Sequence, residues 1–460
     1  MGRVLLTVGG SDSSGGAGIQ ADVKTFAALG FHGTSAITAA TAQNTLGVRR
    51  VYPLAPEAVA SQLEALVEDF EISAAKTGML SSAEIVSEVA GFFERNDIPL
   101  VVDPVMEAEA GGRLLDPQAL DILRERLIPL ARIVTPNIFE AEAITGVRVS
   151  DEKSALQAAS AILDMGAEAA VVTGGHLQGT DFLVTSLGHI EISGRKVVGG
   201  NHGVGCTYSA ALTAFLGRGW DLKRALVAAK KFAAASVNES FDVGRGASPV
   251  NPLGDVLERA DRFDVLTEVE RSVAILLAEE AFVHLIPEVG SNLAMAISAA
   301  RGREDVAAVE GRMVRAGSRA VGCGAVRFGA SGHVARVILS AMSFDPETRA
   351  GMNIRYGEDV LEAVGALGLS TSQFRREDQP SSSKTMSWGT VEAIELFQSG
   401  QGSSSCASSG ASPLVPAAIW DLGGVGKEPM VRLLGRSARE VAGSAVRIAR
   451  LLRFRQEPIN

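Results

Sequence analysis

Short apolar runs alternate with longer helix-favouring segments over the first 250 residues of the chain. Val4 to Val8 is a β-rich run that ends in two glycines, and Gly18 to Leu29 favours a helix. The same order recurs further along, with predicted strands at Ile72 to Ala75, Pro99 to Val102, Ile133 to Thr135 and Ala169 to Thr173. Strands that alternate with helices predict an α/β domain with a largely parallel central sheet, flanking helices and a ligand site at the carboxyl ends of the strands.

The periodic pattern stops near residues 244–253, where the sequence reads GRGASPVNPL. Domain boundaries favour such Pro/Gly-rich segments, so we predict a first domain over 1–250, a linker over 251–264 and a second domain over 265–460. From Val265 to Ala281 the pattern is that of a long amphipathic helix, and mixed helix and strand follow, which predicts a second, mixed α/β domain. Seven serines and three glycines fall within 399–412 and predict a flexible surface loop there.

Charge and cysteine content narrow the class of partner. The formal net charge of −10 disfavours phosphate backbones and anionic lipid headgroups, so we expect no nucleic-acid and no membrane partner. The three cysteines lie far apart and form no CxxC pair, which indicates a reducing compartment. The apolar run near the start is too short for a signal segment or a membrane span, and we expect a cytoplasmic protein.

Residues 199–216, GGNHGVGCTYSAALTAFL, carry the clearest chemical signal. Glycines that open a helix leave backbone amides free to hold a phosphate or a transferring phosphoryl group. The amides concerned are those of Gly203, Val204, Gly205 and Cys206. A thiol at a helix N-terminus has a lowered pKa, which makes Cys206 a candidate base. The alternative interpretation is a small buried cysteine that follows a helix-starting turn.

Six motifs, in order, connect the first domain to a known family. They are GSDSSGGAGIQADVKTFAALG (10–30), TAQNTLGV (41–48), KTGML (76–80), VDPVM (102–106), TPN (135–137) with Glu140, and HGVGCT (202–207). Together they resemble the hydroxymethylpyrimidine phosphate kinases of the ribokinase-like superfamily over about residues 1–250. The resemblance implies a kinase that phosphorylates hydroxymethylpyrimidine and then its monophosphate, with ATP as co-substrate and Mg²⁺ as cofactor.

The resemblance also implies how the pyrimidine is bound. Gln43 would bind the amino and ring-nitrogen edge, for which an amide offers both a donor and an acceptor. Met79 would pack against the ring, and the loop that begins at Gly10 would close the pocket. Asp22 is a further candidate for substrate binding, and its alternative interpretation is a first-turn acid that favours a helix start.

On the nucleotide side, the resemblance implies oxygen ligands and a base. Asp103 and Glu140 would hold the magnesium ion, and Asn137 the nucleotide phosphates, directly or through water. Without the family context, Asp103 before a proline is also typical of a turn cap. Cys206 would remove the proton from the substrate hydroxyl or phosphate.

Two positions depart from the family pattern. GVGC replaces GTGC, so Val204 keeps its backbone amide and lacks a hydroxyl. TGGH replaces KGGH, so phosphate binding falls to Thr173 or to a cation elsewhere. Pyridoxal kinases of the same superfamily also use a cysteine base, and the TAQNTLGV stretch is what favours a pyrimidine over pyridoxal.

Cations recur in the apolar motifs of the second domain. The motifs are IPEVGSN (286–292), VEGRM (309–313), RFGASGHVARVIL (327–339), MNIRY (352–356), MSWG (386–389) and GGVGKEPMVRLLG (423–435). Their cations are Arg312, Arg336, Arg355, Lys427 and Arg432. Such a set suits a diphosphate or another phosphorylated substrate, and surface cations without a role are the alternative.

As a set, these motifs resemble the archaeal-type thiamine-phosphate synthase domain over about 265–453. That domain joins hydroxymethylpyrimidine diphosphate to hydroxyethylthiazole phosphate and releases pyrophosphate. The resemblance implies Arg312 and His333 as a catalytic pair, with His333 as a cation that neutralises or protonates the leaving group. The residues implied around the phosphates are Ser331, Arg336, Asn353, Arg355 and Lys427.

The sequence as a whole predicts a bifunctional enzyme of thiamine biosynthesis. Its small-molecule partners are then hydroxymethylpyrimidine, the phosphates of this pyrimidine and hydroxyethylthiazole phosphate. One alternative is a kinase fused to a non-catalytic domain that senses thiamine phosphate, and another is a pyridoxal-type salvage kinase. The superfamily resemblance also implies a homo-oligomer.

Overall fold

The computed structural model describes residues 3–107, 112, 114–175, 177–194, 197, 199–379, 385–400 and 413–456. The chain divides into two compact units, Met1–Val256 and Leu257–Asn460. Most of the predicted serine-rich loop, residues 401–412, lies outside the described residues. Within the described part of the chain, every helix is too short or too polar to cross a membrane.

The first unit is built from strands and helices in alternation. Its strands, in the described residues, are β1 (Val4–Asp12), β2 (His32–Asn44), β3 (Gly47–Pro53), β4 (Ile72–Thr77), β5 (Leu100–Val102), β6 (Ile133–Val134), β7 (Ala169–Val172), β8 (Asp181–Thr185) and β9 (Gly188–Ile192). Its α-helices are α1 (Gly18–Ala28), α2 (Pro56–Asp69), α3 (Ala83–Arg95), α4 (Pro117–Ile122), α5 (Ile138–Thr145), α6 (Glu152–Asp164), α7 (Val204–Gly217) and α8 (Leu222–Asn238).

One sheet organises this unit, in the strand order β3-β2-β1-β4-β5-β6-β7-β8-β9. The six strands from β2 to β7 in that order pair in parallel, and β3, β8 and β9 add antiparallel edges. The predicted ribokinase-like, largely parallel sheet is confirmed. Because the parallel strands share one direction, the residues that follow β1, β4, β5, β6 and β7 meet at one edge, beside the start of α7.

A long helix, α9 (Gly254–Ala278), begins within the predicted linker of 251–264. From Asp255 the sequence reads DVLERADRF and contains no glycine or proline, so nothing in it interrupts a helix. The strands that follow are β10 (Leu293–Ala296), β11 (Val306–Val309), β12 (Met313–Ala316), β13 (Arg319–Gly322), β14 (Val326–Phe328), β15 (Ala350–Arg355), β16 (Thr371–Gln373), β17 (Ala418–Asp421) and β18 (Met430–Gly435). The helices are α10 (His333–Met342), α11 (Glu358–Ala366), α12 (Thr385–Gln398) and α13 (Ala438–Gln456).

The sheet of the second unit has the order β14-β11-β10-β15-β18-β17-β16, and β12 and β13 form a separate hairpin. Its neighbouring strands are antiparallel apart from β16 and β17, so the unit is a mixed α/β fold of a different kind from the first. On α13, an apolar stripe of Val441, Ala445, Ile448 and Leu452 is buried in the core of this unit.

Candidate active sites

The glycine-rich loop after β1 is held in place by the buried carboxylate of Asp12. Its oxygens accept hydrogen bonds from the backbone amides of Ser14 (2.8 Å), Gly16 (3.1 Å) and Ala17 (2.8 Å). Nε2 of His202, just before α7, lies 2.9 Å from the same carboxylate. Burial alone would raise the pKa of Asp12, but these hydrogen bonds, led by that of His202, lower it to about 2. The loop is thereby tied to the start of α7.

One glycine allows the loop to touch the start of α7, and another allows the loop to fold back on itself. Gly203 has φ +89°, and a Cβ built there would lie 1.9 Å from the carbonyl oxygen of Gly16. Gly18 has φ +58°, and its Cβ would lie 2.3 Å from the carbonyl oxygen of Gly10. Both positions therefore require glycine for conformation and for space.

Fewer of the backbone amides at the start of α7 are free to bind an anion than the sequence predicts. The Val204 amide donates to the carbonyl oxygen of Asn201 at 3.2 Å, so it is already occupied. Gly205 is exposed, and a Cβ there would meet nothing within 4 Å, which leaves open space before the first turn. We therefore place the anion-binding turn at Gly205 and Cys206, with Gly203 as the residue that shapes it.

A buried ion network lies behind this turn. Lys76, fully buried on β4, places Nζ 2.8 Å from Asp22 Oδ1 and 3.6 Å from Asp103 Oδ2. Thr7 Oγ1 donates to Asp22 at 2.6 Å, and Ser209 Oγ on α7 donates to Asp103 at 2.7 Å. Burial lowers the pKa of Lys76, but the surrounding acidic groups, led by Asp22, raise it above its ordinary value. Lys76 is therefore a permanent cation beneath the site.

The network bears on two predictions. Asp22 is bonded to Lys76 and Thr7 and is only 2% exposed, so its side chain supports the site, and its predicted contact with substrate stays a prediction. The pKa of Cys206, by contrast, is not lowered as predicted. Burial raises it to about 12, and Lys76 offsets only part of that effect, because Asp22 and Asp103 act in the opposite direction.

Asp103 and Glu140 bring two buried carboxylates close enough to interact. Burial, with the charge of Asp103, raises the pKa of Glu140 to about 8. Glu140 also accepts a hydrogen bond from the Asn137 amide at 2.8 Å, and the Asn137 side chain in turn caps α5. In the described residues no cluster of three or more metal-ligating side chains occurs. A carboxylate pair nevertheless fits Mg²⁺, which commonly takes one or two carboxylates and completes its shell with water and phosphate oxygens.

The substrate end of the site is built from β1, β2 and the loop. Met79 is buried, and its sulfur would lie 2.8 Å from a Cβ on Gly10, so Gly10 leaves room for it. The side-chain oxygen of Gln43 accepts from Thr41 Oγ1 at 3.2 Å, and Ser13 Oγ joins the loop to the backbone of Gln43. The structure thus brings the loop onto the strand that carries Gln43.

Thr173 follows β7 and is turned toward the preceding strand end. Its amide and its hydroxyl both donate to the carbonyl oxygen of Pro136, at 2.9 and 3.4 Å. Lys230 lies near the same turn, with Nζ 2.8 Å from Asp181 Oδ1, which also accepts the Gly174 amide. The Thr173 side chain therefore supports the turn, and its predicted phosphate contact stays a prediction.

The second unit contains a cavity of about 610 Å³. It brings together six of the predicted residues, Arg312, Ser331, His333, Arg336, Asn353 and Lys427. It also exposes residues that sequence reasoning missed, among them Asn292, Arg376, Met386 and Glu428. Three cations and a histidine were thus predicted correctly as neighbours, although they come from separate segments of the sequence.

Arg355 is a corrected prediction, because it is absent from the cavity lining. Its guanidinium forms an ion pair with Asp359, four residues later on α11, and also donates to the carbonyl oxygen of His284. Arg355 is the last residue of β15, and the acidic first turn of α11 follows it closely in the sequence. Its guanidinium therefore pairs with the nearby carboxylate of Asp359.

Two asparagines shape one wall of the cavity. Asn353 Oδ1 accepts the Asn292 amide at 2.8 Å, and its Nδ2 donates to the carbonyl oxygen of Gly290 at 2.9 Å. The side chain of Asn292 pairs with the backbone of Val309. Asn353 therefore holds the loop before β10 in place, which is a different role from the predicted phosphate contact.

Arg312 is an exposed lining residue in a strained backbone conformation. Its φ is +74°, a value that non-glycine residues rarely adopt, and its Nη1 donates to the carbonyl oxygen of Val289. Such strain is retained where a side chain must be aimed in one direction. The geometry agrees with a guanidinium directed at a ligand in the cavity.

His333 begins α10 at the cavity wall. Its Nε2 is buried without a hydrogen-bond partner among the described residues. Burial, with the charges of Arg432, Arg336, Arg312 and Arg376, lowers the pKa of His333 to about 4. The predicted cation is therefore wrong for the free enzyme, where the imidazole is neutral at pH 7. Nearby, Ser331 Oγ accepts the Val334 amide at 3.3 Å and stabilises this helix start.

Comparison with known proteins assigns both units. Residues 12–251 match the model of the phosphomethylpyrimidine kinase family, and residues 268–447 match that of thiamine-phosphate synthase ThiN. The chain belongs to the phosphomethylpyrimidine kinase family. The predicted fusion of this kinase with a thiamine-phosphate synthase domain is thereby confirmed, and the two parts are called the kinase unit and the synthase unit below.

Several relatives resemble one or both units. The chain is 45% identical over 258 residues to the hydroxymethylpyrimidine/phosphomethylpyrimidine kinase of Haemophilus influenzae, which covers 54% of this chain and 96% of that protein. It is 33% identical over 444 residues to the bifunctional thiamine biosynthesis protein ThiDN of Methanocaldococcus jannaschii, with 95% and 96% covered. The structure of an ADP complex of Bacillus subtilis pyridoxal kinase is 34% identical, with a TM-score of 0.53, and covers 56% of this chain and all of that one.

The kinase unit offers a direct test of its glycine contact. Gly203→Ala forces a Cβ into the Gly16 carbonyl, so we expect loss of kinase activity and unchanged synthase activity in the same chain. Gly146→Ala is the matched control, because Gly146 also has positive φ (+71°) but open space around its Cβ. The control variant is expected to lose only about 1 kcal/mol of folding free energy, from the conformational strain at positive φ. Equal kinase activity in the two variants would contradict the proposed closure of the loop on α7.

The synthase unit should lose stability in acid through His333. Its folded pKa of about 4 lies below the ordinary 6.5, so the unfolded chain binds more protons between these values. The free energy of unfolding therefore falls as pH drops from 6.5 toward 4, by about 3 kcal/mol for this group. Denaturant titrations of the wild type and His333→Gln at pH 7 and pH 4.5 measure it. We expect a smaller acid loss in the variant, and equal losses would contradict the buried, neutral imidazole.

Proposed function

We propose that the kinase unit transfers the γ-phosphoryl group of ATP first to hydroxymethylpyrimidine and then to its monophosphate. We propose further that the synthase unit condenses the diphosphate with hydroxyethylthiazole phosphate to give thiamine phosphate and pyrophosphate. The observation that carries this proposal is the similarity to a bifunctional thiamine biosynthesis protein along 95% of the chain. Consecutive reactions then share one polypeptide.

In the kinase unit, charged residues hold the phosphates and Cys206 acts as the base. Cys206 lies in the first turn of α7 and takes the proton of the substrate hydroxyl or phosphate. The charge of Lys76 favours the thiolate, and it opposes in part the burial and the two aspartates that raise the pKa of Cys206. The amides of the α7 turn hold the transferring phosphoryl group.

Asp103 and Glu140 would hold Mg²⁺ together with the nucleotide phosphates. The bound cation would supply charge neutralisation during phosphoryl transfer. It would also relieve the repulsion that raises the pKa of Glu140, since both carboxylates could then remain ionised. On the substrate side, Gln43 would read the pyrimidine edge, with Met79 against the ring.

In the synthase unit, the residues stabilise a departing anion. The thiazole nitrogen attacks the pyrimidine methylene carbon, the bond from that carbon to the diphosphate oxygen breaks, and its electron pair leaves on pyrophosphate. Arg312 and the neutral His333, which both line the cavity, act on this step. Neutral His333 donates a hydrogen bond to the leaving oxygen, and a bound anion raises its pKa toward the charged form.

A second candidate substrate follows from the solved relatives. The pyridoxal kinases of Bacillus subtilis and Staphylococcus aureus are 34% and 32% identical to the chain, with TM-scores of 0.53 and 0.51. Steady-state competition between hydroxymethylpyrimidine and pyridoxal discriminates the candidates. We expect kcat/KM to favour the pyrimidine and Gln43→Leu to reduce that preference. A higher value for pyridoxal would identify a vitamin B6 salvage kinase instead.

We also propose that the enzyme is a cytoplasmic homo-oligomer. The two cysteines in the described residues, Cys206 and Cys323, are both unpaired, which agrees with a reducing compartment. The oligomeric state rests on the superfamily resemblance, and light scattering of the purified chain measures it.

A further inference from the structure

One carboxylate in the synthase unit holds two arginines. Asp421, at the end of β17, is fully buried and lies 2.7 Å from Arg432 Nη1. The guanidinium of Arg376 binds both carboxylate oxygens of the same residue, with its Nη2 3.2 Å from Oδ2. The side chain of Arg432 is only 2% exposed and that of Arg376 12% exposed. Two guanidiniums and one carboxylate leave an excess positive charge in a nearly dry place.

The same region contains several buried donors without a partner. In the described part of the chain, Nε and Nη2 of Arg432, Nε of Arg336 and Nε2 of His333 are buried and lack a hydrogen-bond partner. A buried donor left unpaired destabilises the fold, and more so when it is charged. Two of these groups, Nε of Arg336 and Nε2 of His333, belong to residues that line the cavity.

Strand register directs Arg432 toward the cavity. Arg432 on β18 is paired with Asn353 on β15, and directly opposed residues project from the same face of a sheet. Asn353 lines the cavity, as does Met430, two residues before Arg432 on the same strand. Arg376 and Arg336 line it as well. Arg432 therefore lies on the sheet face that carries two lining residues, Asn353 and Met430, and is itself buried behind the lining.

We propose that Arg376 and Arg432 bind the diphosphate of the pyrimidine substrate and that Asp421 is the positioning residue that holds both guanidiniums. This proposal rests on the proposed synthase reaction. Of the two anionic groups in that reaction, the diphosphate and the thiazole phosphate, it assigns the diphosphate to a subsite. Asp421 offsets one of the two positive charges in the free enzyme, and the bound diphosphate offsets the other. The pair of arginines then faces the oxygen that gains charge as the carbon–oxygen bond breaks.

Depth and charge favour the diphosphate over the thiazole phosphate at this subsite. The leaving diphosphate carries more negative charge than a monophosphate, and it gains one more electron pair in the transition state. Poorly hydrated cations stabilise developing charge most strongly. Lys427 is an exposed cation in the lining of the cavity, and this is where the thiazole phosphate would bind.

The test compares Arg376→Gln with Arg349→Gln in the full-length chain. Arg349 is a matched control, because it also forms a 2.8 Å ion pair with a carboxylate, Asp261, and does not line the cavity. Each lost charged hydrogen bond is expected to weaken binding about 10- to 100-fold. We therefore expect Arg376→Gln to raise the KM for pyrimidine diphosphate and the inhibition constant of inorganic pyrophosphate by that factor. The KM for thiazole phosphate should change less than threefold, which corresponds to about 0.6 kcal/mol.

Asp421→Asn tests positioning separately from binding. This substitution removes no group that touches the diphosphate. We therefore expect the KM for pyrimidine diphosphate to rise less than in Arg376→Gln. Retained kinase activity shows that the chain is intact. Arg376→Gln keeps the buried Arg432–Asp421 pair, so it remains informative if substitutions at Asp421 do not fold. A KM effect confined to thiazole phosphate, or no difference from Arg349→Gln, would overturn the assignment. Absence of thiamine phosphate from the wild type would instead overturn the synthase function itself.

Discussion

Replacing Cys206 by alanine removes both phosphorylations and leaves the synthase reaction intact. The proposed base acts only in the kinase unit, and its loss is expected to reduce kcat by about 10²- to 10⁴-fold. The Lys76 network stays in place, because the thiol accepts none of the side-chain hydrogen bonds that hold Lys76 to Asp22 and Asp103. Phosphorylation of the pyrimidine and of its monophosphate is measured separately, and synthase activity is measured with supplied pyrimidine diphosphate.

The control for this experiment is Cys323→Ala. Cys323 is also a free cysteine, but it is exposed in the synthase unit, so both activities should remain. An equal loss of kinase and synthase activity in Cys206→Ala would contradict independent sites. Full kinase activity in that variant would return Cys206 to its alternative interpretation, a small cysteine at a helix-starting turn.

Replacing Arg312 or His333 by alanine produces the opposite pattern. Thiamine phosphate formation is expected to fall by about 10²- to 10³-fold, as for the loss of one group that stabilises a developing anion. Both phosphorylations should continue, and the pyrimidine diphosphate should accumulate. His333→Gln should retain more activity than His333→Ala, because an amide can still donate a hydrogen bond to the leaving oxygen.

Arg327→Ala is the matched control for Arg312→Ala. Arg327 is exposed on β14 and forms a long ion pair, 3.6 Å, with Glu310. Unchanged thiamine phosphate formation in both Arg312→Ala and His333→Ala would refute the catalytic pair. The sensor alternative would be favoured by two results together. The wild type would form no thiamine phosphate, and the variants would lose the binding of thiamine phosphate.

The sequence predicted the fold of the kinase unit well because its signals are local. Each buried strand ends in glycine or polar residues, and parallel pairing then collects those ends at one edge. Cys206, Asp103 and Glu140 therefore came together as expected. The edge hairpin β8–β9 and the helical start of α9 were missed, because short polar strands and a boundary helix carry weak periodic signals.

Charge states and partner choice were less predictable than positions. The lowered pKa predicted for Cys206 followed from the helix start alone, whereas burial beside Asp22 and Asp103 dominates in the structure. His333 was predicted as a cation, and the arginines around it make it neutral. Such effects depend on neighbours from distant segments, which spacing along the chain does not reveal.

Lys76 and Asp421 show what signal was available for the residues that were missed. Lys76 sits inside an otherwise apolar strand, SAAKTG, and Asp421 ends the apolar run AAIWD. A charged residue in a buried strand needs a partner, so both positions pointed to ion networks. The sequence could not identify those partners, which lie 54 residues away for Lys76 and 45 residues away for the Arg376 that binds Asp421.

A coupled assay tests the central claim most directly. The purified chain is incubated with ATP, magnesium, hydroxymethylpyrimidine and hydroxyethylthiazole phosphate, and thiamine phosphate is followed by chromatography. The account predicts that thiamine phosphate forms and that its formation requires both ATP and the thiazole phosphate. Accumulation of pyrimidine diphosphate without thiamine phosphate would contradict the synthase function, and formation of neither product would contradict the kinase substrate.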